Sequence, residues 1–212
     1  NGPWEYAING SNKHPKSYDG EIIVPFSPEC ELSGVGKTLK SGEFLWYRRE
    51  VILPESFKGK RVLLHFGAVD QEATVWVNSR QVARHIGGYL PFEAMTIVVR
   101  VTDDSDKCSR TRGKQKTRRG GIWYTTQSGI WQSVWIEAVP EAYVKNLRIT
   151  PDFDMACVEI SAETVGNQPA FALFQGTEYE LPARVPVPGF EPWCPENPKL
   201  YHFTAKYGRD VV

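Results

Sequence analysis

Hydrophobic and polar positions alternate with period two along most of this chain, and hardly anywhere with the period of a helix. The run Trp46–Leu53 alternates up to the breaker Pro54, and Lys60–Phe66 lies between Gly59 and Gly67. Both spacings predict strands. Ala73–Val77 leads into Asn78-Ser79-Arg80 and resumes over Gln81–His85. That pattern predicts a hairpin with Asn78 in the left-handed region, which a short polar side chain tolerates. Thr96–Val101 and Trp131–Val139 complete the first half, the latter placing Trp131, Ser133, Trp135 and Glu137 on one face. After Pro140 the runs Tyr143–Pro151, Ala156–Ile160 and Leu200–Ala205 predict strands of a second unit. No stretch carries an apolar stripe at helical spacing, so the expected class is all-β. Residues 1–140 form one expected domain and residues 141–212 a smaller sandwich. The ends, Asn1-Gly2-Pro3-Trp4 and Asp210-Val211-Val212, read as interior positions of a longer chain.

Composition narrows the function. Lys+Arg and Asp+Glu both number 25, so the formal net charge is zero. A neutral chain has no general affinity for nucleic acid or an anionic membrane surface, and neither partner is expected. No run of about 18 apolar residues exists to span a bilayer. Cys30, Cys108, Cys157 and Cys194 are far apart, without a CxxC pair or a clustered histidine, so no metal site and no cofactor is expected. Reduced thiols fit a cytoplasmic protein. Seven Trp and nine Tyr leave room for stacking on sugars, although sheet core accounts for most aromatics in such folds. Trp46, Trp76, Trp131 and Trp135 are assigned to the core on that basis, and Tyr89, Pro91 and Phe92 are expected to pack on it.

Several segments, in order, resemble glycoside hydrolase family 2, the family of β-galactosidases, β-glucuronidases and β-mannosidases. They are Asn1–Tyr6, Ile23–Glu29 with Leu32-Ser33-Gly34, Trp46–Arg49, Val75-Trp76-Val77-Asn78, and His85–Phe92. Arg112–Gln115, Gly121–Tyr124, Ser128–Gln132 and Pro192–Tyr201 follow. Ser79 stands where the family's turn has Gly, and the connection from Phe92 to Ile97 is short. The resemblance implies a jelly-roll, galactose-binding-like sandwich followed by an immunoglobulin-like sandwich. It further implies that the parent is a retaining exo-β-glycosidase whose catalytic glutamates lie on a barrel beyond this chain. The expected partners are that barrel, a carbohydrate substrate and a second copy of the chain.

No catalytic residue is therefore expected here. Glu191 and Glu196 lie in a proline-rich loop and read as structural, since acid–base work needs two carboxyls converging in a pocket. The basic run from Lys107 to Arg119 reads as a solvated loop, or, by the resemblance, as a loop that approaches the barrel. On the second reading Arg112, Lys114 and Gln115 contact substrate hydroxyls or a uronate carboxylate. Trp123 and Tyr124 are then the candidates for stacking on a sugar edge, against the plain alternative of a Trp buried at the loop's base. Gly120-Gly121 stands where some β-galactosidases carry an acidic, cation-binding residue, so that metal role does not transfer. An independent carbohydrate-binding module or lectin remains the alternative function.

Overall fold

The structure, a computed structural model, describes residues 1–89 and 97–212 and the backbone of residues 92–94. The described residues form strands joined by turns, with three single-turn 3₁₀ segments and no α-helix. No helix among them is long and apolar enough to cross a membrane. The chain divides into two compact units, Asn1–Lys58 with Val62–Glu137, and Gly59–Arg61 with Ala138–Val212.

The first unit contains β1 (Gly2–Asn9), β2 (Gly20–Val24), β3 (Phe44–Arg48), β4 (Arg61–Phe66), β5 (Val69–Asp70) and β6 (Glu72–Val77). It continues with β7 (Arg80–Ile86), β8 (Phe92–Ala94), β9 (Val98–Thr102), β10 (Gly129–Ile130) and β11 (Val134–Val139). One sheet has the order β2-β1-β3-β9-β6-β7; the strands β11-β4-β8 and β10-β5 form the others. Alternation decides what goes inside. Leu45 and Tyr47 of β3, Ala73 and Val75 of β6 and Val99 and Val101 of β9 turn to the core. There they meet Leu64 and Phe66 of β4 with Val69, Ile130 and Val134. Each large side chain so buried contributes roughly 1.5–3 kcal/mol.

The β6–β7 hairpin closes as its sequence predicts. Val77 pairs with Arg80, and Asn78 and Ser79 both take positive φ, 45° and 68°, as a two-residue turn of this hand requires. Trp46 is fully buried, but on the opposite side of the sheet from the core. It stacks on Trp76 with ring centroids 5.6 Å apart, His14 lies 5.0 Å away, and Arg100 sits over both indoles. The loop after β1 covers this face, with Trp46 Nε1 donating to the Ser11 carbonyl at 3.3 Å.

Three strand expectations need correction. β3 ends at Arg48; the chain then leaves the sheet, and Ile52 is 95% exposed. β11 begins only at Val134, one residue after the Ser133 carbonyl accepts from the Gly67 N–H at 2.8 Å next to β4. Trp131 therefore lies off the strand, and Trp135 points outward at 48% exposure, so neither belongs to the core. The run expected from Leu200 pairs only from Thr204. Thr96, Leu90 and Pro91 lie outside the described residues, as do the packing of Pro91 and Phe92; Tyr89 is 45% exposed and off the core.

The second unit contains β12 (Tyr143–Asp152), β13 (Cys157–Val165), β14 (Ala170–Phe174), β15 (Thr177–Glu180), β16 (Ala183–Pro186), β17 (Thr204–Tyr207) and β18 (Asp210–Val211). Its sheets run β12-β13-β16 and β15-β14-β17-β18. Ile160, Ala172, Phe174, Val185 and Val187 fill the space between them. This two-sheet arrangement is that of an immunoglobulin-like sandwich.

Candidate functional site

The five residues singled out from the sequence lie on one loop that is braced by its own backbone. Tyr124 N donates to Lys114 O at 2.8 Å and Lys116 N to Tyr124 O at 3.1 Å. Gly120 and Trp123 exchange hydrogen bonds of 3.0 and 3.1 Å around a tight turn, where Gly121 takes φ 60°. Lys116 Nζ sits 5.0 Å from the centre of the Trp123 ring, a cation–π contact that orients a half-buried indole.

The loop has two sides. Lys114 is exposed and Tyr124 is 69% exposed, so both present to solvent beside Trp123. Arg112 and Gln115 turn back to the protein instead. Arg112 Nη1 donates to the Cys108 carbonyl at 3.3 Å. Gln115 Oε1 accepts from Gln127 N at 2.6 Å, while its Nε2 donates to Asp70 Oδ2 at 3.4 Å. In this arrangement Gln115 anchors the loop.

Beneath the loop runs a buried polar seam that the sequence reading missed. Asp70, Gln71, Asp103, Ser27, Thr126 and Ser128 are all buried. Ser128 Oγ donates to Asp103 Oδ2 at 2.9 Å, its N–H to Glu29 Oε2 at 3.0 Å, and Ser27 Oγ to Gln127 Oε1 at 2.5 Å. Asp103 also accepts from Ser105 N at 2.6 Å. Burial pushes the carboxyls of Glu29 and Asp103 up. Asp70 is raised furthest, to about 7, by burial first and by the nearby Asp103 second, with the Gln115 bond pulling the other way. Its Oδ1 is buried without a hydrogen-bond partner among the described residues. A carboxyl so placed favours its protonated form, because charge in a dry site is costly. The only sequence signal was polar Asp70-Gln71 between the apolar runs 62–69 and 73–77.

Glu191 accepts from Asn197 Nδ2 at 2.8 Å and lies 3.5 Å from Lys199 Nζ; together they hold its carboxyl below the ordinary range. That is the environment of a loop brace, opposite to the raised pKa of a general acid. No group of three His, Cys, Asp or Glu among the described residues is placed to hold a metal ion.

This is an all-β, two-sandwich protein whose first sandwich supports a loop bearing an exposed aromatic and a cation. Residues 36–105 match the family described as glycosyl hydrolases family 2, sugar binding domain. Over those residues the chain resembles the sugar binding domain of glycoside hydrolase family 2. It is 29% identical over 153 residues to a β-glucuronidase of Sus scrofa, covering 58% of this chain and 24% of that protein. Against a β-galactosidase of Thermoanaerobacter pseudethanolicus it is 30% identical over 132 residues, 56% of this chain and 17% of the relative. The β-glucuronidase of Ruminococcus gnavus with bound D-glucuronic acid shares the fold across the whole chain, with TM-score 0.73 and 20% identity, over 44% of that structure. The chain thus spans less than half the length of these relatives, and its described residues include no barrel of alternating strands and helices.

Proposed function

We propose that this chain is the non-catalytic front part of a family 2 glycoside hydrolase of β-glucuronidase or β-galactosidase type. It braces a catalytic barrel supplied by the same polypeptide, and its 112–124 loop borders the active site. The parent reaction is retaining hydrolysis of a terminal β-glycoside, and these 212 residues alone turn over no substrate. The observation that carries the reading is the loop itself: a braced turn in a sugar-binding-domain relative that holds Lys114, Trp123 and Tyr124 on its solvent side. An ammonium suits hydroxyls or a uronate, and an indole suits the C–H face of a pyranose. Arg112 and Gln115 serve as supports that keep the loop in place. The parent self-associates as a homo-oligomer of unspecified order, and the four unpaired thiols suit a cytoplasmic location.

The test is steady-state hydrolysis of aryl β-glucuronide and aryl β-galactoside by a gene product containing both this chain and the barrel. One substrate is turned over, and the 212-residue chain alone turns over neither. Activity of the isolated chain, or of neither protein, contradicts the proposal. An independent lectin would instead bind saccharides at micromolar concentration without any barrel.

A further inference from the structure

On the first unit, away from the core, three aromatic side chains are exposed or half-exposed and yet fixed. Trp135 points out of β11 and stacks on His65, with centroids 4.9 Å apart and planes 8° from parallel. His65 Nε2 lies 3.0 Å from Glu137 Oε2, which sets the imidazole on which the indole rests. Trp131 is held by its Nε1, donating to the Gly88 carbonyl at 2.8 Å, and Tyr89 meets it edge-on at 6.1 Å. Together with Gly67, Gln132 and Ser133 these rings line an open hollow of about 580 Å³. Gly67 forms the floor: a Cβ there would lie 2.9 Å from Gln132 Cβ.

Leaving aromatic area in water is costly, so rings fixed outside the core hold binding energy in reserve. Because stacking and hydrogen bonds already orient them, little side-chain entropy remains to be lost on binding. The hollow has the size of a small-molecule site. Its described lining combines flat aromatic faces with an amide and a hydroxyl, and includes no charged side chain. Flat faces match the C–H side of a pyranose, the polar rim matches its hydroxyls, and the uncharged lining offers nothing to a carboxylate. We propose that Tyr89, Trp131 and Trp135 form a second saccharide platform, outside the 112–124 loop, that takes a neutral pyranose unit. It stands whether or not that loop borders an active site.

The experiment titrates the 212-residue chain with methyl β-D-galactopyranoside, lactose and cellotriose, following the tryptophan indole N–H resonances. Methyl β-D-glucuronide serves as the charged counter-probe. At least one neutral probe shifts the Trp131 and Trp135 signals saturably in the millimolar range, and the glucuronide does so more weakly. Trp135→Ala and Tyr89→Ala each weaken binding about tenfold while the amide spectrum stays folded, and Trp135→Phe restores most of it. Trp123→Ala leaves it unchanged. No saturable shift with any neutral probe overturns the platform, as does binding that survives Trp135→Ala and Tyr89→Ala or is lost in Trp123→Ala.

Discussion

Gly88 packs against Asp70 so closely that a Cβ at Gly88 would lie 2.5 Å from Asp70 Cγ. The contact joins two features: Asp70 heads the buried seam, and the Gly88 carbonyl holds the Trp131 indole. Gly88→Ala is expected to destabilise the chain by about 1–3 kcal/mol through overpacking. It should also perturb the Trp131 indole resonance. Unchanged urea midpoints would show that the seam yields to an added methyl.

The Asp70 carboxyl gives stability a pH dependence whose sign follows from proton linkage. An acid with a higher pKa folded than unfolded binds its proton more tightly when folded. Its cost is therefore absent below the unfolded pKa and complete above the folded one. Between pH 4 and pH 7 stability should fall as pH rises. A pKa moved from 3.8 to about 7 corresponds to on the order of 4 kcal/mol. In Asp70→Asn most of that slope should vanish, leaving the parts due to Glu29 and Asp103. Parallel urea-unfolding profiles of the two proteins from pH 4 to pH 8 would contradict this.

Gln115 should matter as an anchor. Its removal in Gln115→Ala leaves the Gln127 N–H without its acceptor and Asp70 without its donor. Exchange of the Gln127 amide should accelerate by about tenfold, the equivalent of one modest hydrogen bond. The Asp70 pKa should rise further, since the bond that lowers it is gone. Hydrogen exchange and a carboxyl-carbon NMR titration measure the two effects separately.

Tyr47 is fully buried, and its hydroxyl accepts the Ile130 N–H at 3.1 Å. Gly129 permits this approach, because a Cβ there would lie 2.9 Å from Leu45 Cδ2 and closer still to the tyrosine oxygen. Tyr47→Phe should cost about 1–3 kcal/mol by orphaning a buried donor. A loss below a few tenths, read from thermal unfolding, would mean that the amide finds another acceptor.

Local chemistry made the β6–β7 hairpin legible, because Asn78-Ser79 carries its own conformational preference. Alternation gives the shared face of Trp135 and Glu137 but not the side of the sheet it lies on, and that face is exposed. Gly67, directly after the neighbouring strand β4, donates to the Ser133 carbonyl, and alternation within the segment contains no sign of that bond. Gln175-Gly176, with φ 48° and 81°, closes the hairpin of β14 and β15 and is a local turn signal of the same kind as Asn78-Ser79. The family resemblance points to the candidate loop but not to the inward direction of Gln115. Its partners, Asp70 and Gln127, lie 45 and 12 residues away, and only the fold brings them together.

The role proposed for the loop is tested most directly by kinetics of the barrel-containing gene product carrying Trp123→Ala. The account predicts that kcat/KM for its preferred aryl β-glycoside falls at least about tenfold, the equivalent of one lost aromatic contact, with the melting temperature unchanged. A kcat/KM within about twofold of the parent, in a protein folded as well as the parent, would contradict it.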